Sequence, residues 1–170
     1  VGLAERGPLG GTCPNLGCIP SKTLILAADR VMEIAEMRKL GIEAEVTRID
    51  FSAIMDRMRN GVAGREKEMR EGITHLHALG FHEGTARFMG NYTVAVNGQE
   101  ITAPKIVIAV GSRPSIPPLP GLDKVDYLTS ETLLQLRQRP DSLIIVGGGY
   151  IGVEYAHFLA AMGTKVTVIE

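Results

Sequence analysis

The chain has 170 residues, 45% hydrophobic and 22% charged, with 18 basic and 19 acidic side chains for a net charge of −1. That is globular composition, which argues against wholesale disorder and supplies no basic excess for a nucleic-acid partner. Apolar runs are no longer than those like residues 106–110, so no helix can span a bilayer. Glycine is the outlier, at 20 of 170 residues against the usual ~7%. The glycines cluster without a Pro/Gly period, which leaves tight turns and close ligand approach as their use.

In chain order, the sequence opens within an apolar strand, residues 1–5, with no Met and no signal peptide, and it closes on a similar strand that stops at Glu170. It reads as a domain interrupted at both ends. A Gly/Cys-rich loop, residues 7–17, leads into a helix patterned by Leu24, Ala28, Val31 and Ile34 and ending near Gly41. The stripe Ile54, Met58, Val62, Met69, Ile73 and Leu76 predicts a second helix over 51–79, stopped by Gly80. Its mixed charges between Arg65 and Glu71 read as a solvated face.

Strand patterning begins at Phe81. Tyr92, Val94 and Val96 alternate, Asn97-Gly98 signals a hairpin turn, and Ile101 opens the return strand. The run 105–110 reads as a strand buried on both faces. Four prolines within 114–121 read as a connection between domains. A short helix over 130–136 then precedes a strand–turn–helix–strand unit over 143–170. The domain reading is therefore 1–114 and 115–170.

Two motifs carry chemistry. In Leu143-Ile-Ile-Val-Gly147-Gly-Gly149-Tyr-Ile-Gly152 an apolar strand feeds a helix through G-x-G-x-x-G. Gly147 serves the tight turn, Gly149 the approach of a pyrophosphate, and Gly152 the packing of helix on strand. The free N–H groups of the helix start would face the phosphates. Glu170, about twenty residues on, suits the two hydroxyls of an adenosine ribose and would repel a 2′-phosphate, which favours NAD over NADP.

The second motif is Gly10-Gly-Thr-Cys13-Pro-Asn-Leu-Gly-Cys18-Ile-Pro-Ser-Lys22, holding the only two cysteines. Five positions apart on a regular helix, their Cα atoms would stand roughly 8.5 Å apart, beyond the ~6.8 Å reach of a disulfide. Pro14 and Gly17 can distort the turn enough to close that gap. A helix N-terminus, with Lys22 one turn on, predicts lowered thiol pKa values and a reactive thiolate. Inert core cysteines are the bland alternative. No second Cys pair and no nearby His supports zinc, so no metal site is expected. Pro20-Ser21 before Lys22 excludes a P-loop.

Together these motifs, with Ile108-Ala-Val-Gly-Ser-Arg-Pro114, Thr129-Ser-Glu-Thr-Leu-Leu134 and Gly147 to Glu154, resemble the class I, FAD-dependent pyridine nucleotide-disulfide oxidoreductases. The resemblance implies an α/β fold: most of an FAD-binding domain, then the first βαβ unit of an inserted NAD-binding domain. It implies FAD and NAD as cofactors and a redox disulfide between Cys13 and Cys18, with Cys18 nearer the flavin and Cys13 exchanging with substrate. Glu5, Gly10, Gly11, Thr12, Ala86 and Gly111 would hold FAD, and Lys22 would lie beside its ring. Lys22, taken as buried, would need Glu154 as counter-charge. Tyr150 would cover the nicotinamide pocket.

Within the family the sequence looks most like dihydrolipoamide dehydrogenase, through Gly-Cys-Ile-Pro-Ser-Lys, with mercuric, mycothione and glutathione-type reductases as alternatives. The resemblance further implies a cytoplasmic homodimer acting on a small thiol or disulfide, or on a lipoyl-bearing protein. The family's first G-x-G-x-x-G, its second FAD aspartate and its acid–base His–Glu pair have no match here. His75, His77, His82 and His157 read as structural or exposed. The 170 residues alone are therefore expected to be a poor enzyme. A non-catalytic nucleotide-binding fragment and a secreted module with a structural disulfide are the readings from other classes.

Overall fold

Apolar spacing and glycine punctuation settle the element order in a computed structural model that describes all 170 residues. Strand β1 (Gly2–Glu5) runs into the Gly/Cys loop, which holds two successive helices, α1 (Thr12–Leu16) and α2 (Cys18–Glu36). The break falls at Gly17, with φ −124° and ψ −111°. A 3-10 turn extends α2 to Leu40, and Gly41 closes it in the left-handed region. Helix α3 (Phe51–Thr74) starts at Asp50, whose carboxylate accepts from the Ala53 N–H at 3.0 Å. It ends one turn earlier than the apolar stripe suggests, and Leu76 is exposed.

Strand β2 (Gly80–Glu83) pairs in parallel with β1, placing Glu5 opposite Glu83. Strands β3 (Ala86–Gly90), β4 (Thr93–Val96) and β5 (Gln99–Thr102) form an antiparallel meander. Its second turn is the expected one, with Asn97 and Gly98 both at positive φ. Strand β6 (Ser142–Val146), helix α4 (Tyr150–Ala161) and strand β7 (Lys165–Ile169) make a parallel βαβ unit. The class is α/β, as expected.

Residues 105–110 depart from expectation. They join none of the three sheets, and Val107 and Val110 are 87% and 88% exposed. An apolar run specifies a buried strand only where neighbouring strands complete its ladder, and none lies beside this one. The helix expected over 130–136 is likewise a 3-10 turn, Thr132–Gln135.

One core draws on both ends of the chain. Leu24 and Ala28 of α2, Phe51, Met55 and Met58 of α3, and Tyr155, Phe158 and Leu159 of α4 are buried in a single cluster with Leu133 and Leu134. Phe51 stacks on Phe158 with ring centroids 5.9 Å apart. Arg59 of α3 donates to the carbonyls of Leu134 and Leu136 at 3.1 and 3.2 Å, fastening the segment after the prolines. Burial pushes the Tyr155 phenol up to about 12, and its hydroxyl donates to the Ser130 carbonyl.

Phe158 is fully buried at the junction of α2, α3 and α4. Phe158→Ala is therefore expected to cost about 3–5 kcal/mol, read as a lower urea midpoint. An unchanged midpoint would place the core elsewhere.

Candidate functional site

The two cysteines sit on either side of the Gly17 break, Cys13 in α1 and Cys18 as the first residue of α2. Both are free thiols and both are exposed. The break is the distortion that a five-residue spacing requires. The Cys18 thiol, through its hydrogen bond to Cys13, holds the Cys13 thiol above its ordinary pKa. This corrects the sequence expectation of a lowered value at Cys13. A neighbouring thiol that shares a proton and resists a second negative charge outweighs a helix only five residues long.

The loop before Cys13 is held by side chains. Asn15 donates through Nδ2 to the carbonyls of Leu9 and Gly11 at 2.8 and 2.9 Å. Gly10 has φ +97°, and a Cβ there would stand 2.5 Å from Pro14 Cγ and 2.8 Å from Met69 Cε. A side chain there is strained by the positive φ and by the Pro14 ring. Glu5 accepts from the Arg6 and Gly7 N–H groups, both at 2.8 Å, which turns the chain at the end of β1. The Gly84 N–H donates to the Glu5 carbonyl at 2.8 Å. Topology thus brings Glu5 and the segment leading to Ala86 to the same end of the β1–β2 pair. Gly10, Gly11 and Thr12 lie on the turn into α1. Gly111, at φ +71°, follows the exposed 105–110 run with nothing beside it.

Lys22 and Glu154, 132 positions apart, form an ion pair between α2 and α4. The Lys22 ammonium, followed by the Ser21 hydroxyl, holds the Glu154 carboxyl below the usual carboxylate range. Lys22 is not buried, however, with a side chain 60% exposed. The pair is a bridge at the rim of the α2–α4 seam, supported from beneath by the buried Ser21. A second bridge follows the same seam, His157 Nε2 to Asp29 Oδ1 at 3.0 Å.

The glycine loop of β6–α4 turns the strand directly into the helix. A Cβ at Gly152 would come within 2.3 Å of the Gly147 carbonyl oxygen, so helix and strand approach as closely as glycine permits. Gly149 opens onto free space, and the first turn of α4 leaves its N–H groups without intrahelical partners. Glu170 reaches back to accept from the Gly148 N–H. An acid is therefore held against the glycine loop. Tyr150 opens α4 with its side chain in solvent.

Sequence reasoning missed Asn15, Ser21, Met69 and the Asp29–His157 bridge. Asn15 had a local signal, a short amide inside a glycine loop. The others depend on which helices meet. No cluster of three or more His, Cys, Asp or Glu side chains suits a metal ion.

The family model described as pyridine nucleotide-disulphide oxidoreductase matches residues 1–170. The chain is 34% identical over its whole length to the mercuric reductase of Lysinibacillus sphaericus, of which it covers 31%. It is 34% identical to the mycothione reductase of Mycobacterium tuberculosis, aligning 98% of the chain with 38% of the relative. It is 38% identical to the dihydrolipoyl dehydrogenase of Geobacillus stearothermophilus, covering 37% of it. Among solved structures, the HOCl-induced flavoprotein disulfide reductase RclA of Escherichia coli superposes with a TM-score of 0.83 at 33% identity, over the whole chain and 36% of that protein. The chain thus spans about a third of the length of these relatives.

Two outcomes check this geometry. Gly152→Ala is expected to cost roughly 1–3 kcal/mol through the clash with Gly147, and thermal melts that match the parent would refute the close approach. For Glu154, the folded pKa lies below the unfolded one. Its contribution to stability is therefore present above the unfolded value and is lost as pH falls through the folded one. The stability gap between the parent and Glu154→Gln should be small but measurable at neutral pH, given the exposure of Lys22, and should close in acid. A gap that is constant with pH would contradict the pairing.

Proposed function

The chain belongs to the pyridine nucleotide-disulphide oxidoreductase family, and on that premise we propose that it carries the dithiol and nucleotide stages of a flavoprotein disulfide oxidoreductase. The observation that carries the proposal is the placement of Cys13 and Cys18 across a helix break, one turn from a lysine bridged to the nucleotide-loop helix. In this reading residues 1–114 contribute to the FAD domain and 115–170 begin the NAD domain. Glu5, Gly10, Gly11, Thr12, Ala86 and Gly111 hold FAD, and Lys22 lies beside its ring. FAD, when bound, supplies the two-electron relay between pyridine nucleotide and disulfide.

The chain's own residues do the sulfur chemistry. The Cys13 thiolate attacks an external disulfide, forming one S–S bond and releasing one thiolate. Cys18 then attacks the sulfur of Cys13, closing the Cys13–Cys18 disulfide and releasing the second thiolate. Two electrons leave the cysteine pair and reduce the substrate. Glu154 holds the Lys22 ammonium one turn into α2, the helix that Cys18 begins.

Relatives similar along this chain bear the names of mercuric reductase, mycothione reductase and dihydrolipoyl dehydrogenase. Within that range we infer a dithiol/disulfide couple of lipoyl type as substrate, the same exchange steps running in reverse when its dithiol is the electron donor, resting on Gly17-Cys18-Ile19-Pro20-Ser21-Lys22 and on the likeness to dihydrolipoyl dehydrogenase. The family resemblance also supports a homodimer. For the nucleotide, Glu170 at the glycine loop supports NAD rather than NADP.

The sulfur step is tested by adding one equivalent of a small aromatic disulfide to the reduced protein and mapping peptides. The expected product is an intrachain Cys13–Cys18 bridge, with Cys18→Ser trapped as a mixed disulfide on Cys13. A stable mixed disulfide on the parent protein would overturn the proposal. Calorimetric titration tests the nucleotide: NAD should bind at least about tenfold tighter than NADP, a difference of ~1.4 kcal/mol, and Glu170→Gln should narrow the gap. Equal affinities in the parent would refute the role of Glu170.

A further inference from the structure

Helix α3 touches the cysteine loop through one side chain that the chemistry above does not use. Met69 brings its thioether to the place where a Cβ on Gly10 would stand, with Cε 2.8 Å and Sδ 3.0 Å from that position. On the same side, Pro14 Cγ would be 2.5 Å away. The loop therefore turns at Gly10 around the end of Met69, and Cys13 follows three residues later at the start of α1. Met69 is only half-buried. Its helix neighbours Glu66 and Arg70, with Asn15, line an open cleft of about 620 Å³. Met69 does not itself line that cleft, and its partly exposed side chain is the route by which a small oxidant would reach it.

We propose that Met69 is an oxidative modification site whose sulfoxide unseats the Gly10 loop and thereby slows closure of the Cys13–Cys18 pair. The chemistry is a two-electron oxygen transfer from a peroxide. The thioether sulfur attacks one oxygen of hydrogen peroxide, the O–O bond breaks and an S–O bond forms. The proton on the transferred oxygen passes to the departing hydroxide, giving water. Sulfur is oxidised and the peroxide reduced, with no further reactant needed. The product is a larger, polar, chiral group. It has to fit in the space that the present thioether shares with Gly10 and the Pro14 ring, where not even a Cβ on Gly10 could be added. The sulfoxide gains its hydrogen bonds by moving toward the cleft and solvent, and the loop loses the contact that sets its turn.

The effect on the cysteines rests on the disulfide reading above, whereas the effect on the loop does not. Two measurements keep them apart. The reduced protein, its thiols reversibly blocked, is treated with hydrogen peroxide, and each methionine is scored by peptide mass. After removal of peroxide and unblocking, one equivalent of a small aromatic disulfide is added as oxidant, and the rate of Cys13–Cys18 closure and the amide hydrogen exchange of residues 9–13 are measured. The parent should take up one oxygen at Met69 and close its disulfide on the order of tenfold more slowly, since misplacements of ~1 Å cost reacting groups up to about 10²-fold. Amides 9–13 should exchange faster. Methionine sulfoxide reductase should restore both, and Met69→Leu, which keeps the volume without oxidisable sulfur, should be insensitive to peroxide in both. Met89→Leu, at an exposed methionine on β3, should remain sensitive.

Three results would overturn the proposal: Met69 intact while the exposed Met32 and Met89 are fully oxidised, an oxidised Met69 with unchanged exchange at 9–13, or equal sensitivity of Met69→Leu and parent. If untreated protein never closes the disulfide, the functional reading fails, and hydrogen exchange of the loop still decides for or against Met69.

Discussion

Everything in this structure hangs on the packing of α2 against α4. Leu24 and Ala28 from one helix and Phe158 and Leu159 from the other are completely buried in the same cluster. The first helix begins at a cysteine and the second at a dinucleotide-type glycine loop, so one apolar contact joins two chemical stations. Burial of this kind is worth about 1.5–3 kcal/mol for each large side chain, well above any exposed ion pair. The seam is therefore set by its core, and the charges along its rim follow.

Those rim contacts then acquire their use from position rather than strength. Lys22–Glu154 and Asp29–His157 lie along the same seam, one near the cysteine end of α2 and one about two turns on. The first fixes where a positive charge stands relative to Cys18, and the second continues the alignment of the helices. At the other side of the cysteine loop, α3 contributes shape through Met69, while its Arg59 fastens the segment around Leu134 and Leu136. The reactive loop is thus held between two helices that belong to one core, and its backbone turn is adjusted to both.

Much of this was legible in the sequence where the physics is local. The glycine pattern at 147, 149 and 152 specified a strand–turn–helix, and the 2.3 Å approach at Gly152 is its direct consequence. Asn97-Gly98 specified its hairpin turn. The Lys22–Glu154 bridge came from family resemblance, since no periodicity links positions 132 apart. What was not legible is what depends on neighbours. The 105–110 run has the composition of a buried strand and lies exposed for want of an adjoining strand. Lys22 was taken as buried and stands at a rim. Cys13 was expected to have a lowered pKa from its helix, and its thiol neighbour reverses the direction.

The central claim is that the cysteine helix and the nucleotide-loop helix belong to a single cooperative unit. Native-state hydrogen exchange of the purified protein at several low urea concentrations tests it most directly. The account predicts that the core amides of α2 around Leu24 and Ala28, and those of α4 around Phe158 and Leu159, open with the same free energy and the same urea dependence. If the amides of residues 142–170 exchange through a separate opening of lower free energy and smaller urea slope while α2 stays protected, the two stations do not share a core, and the account is wrong.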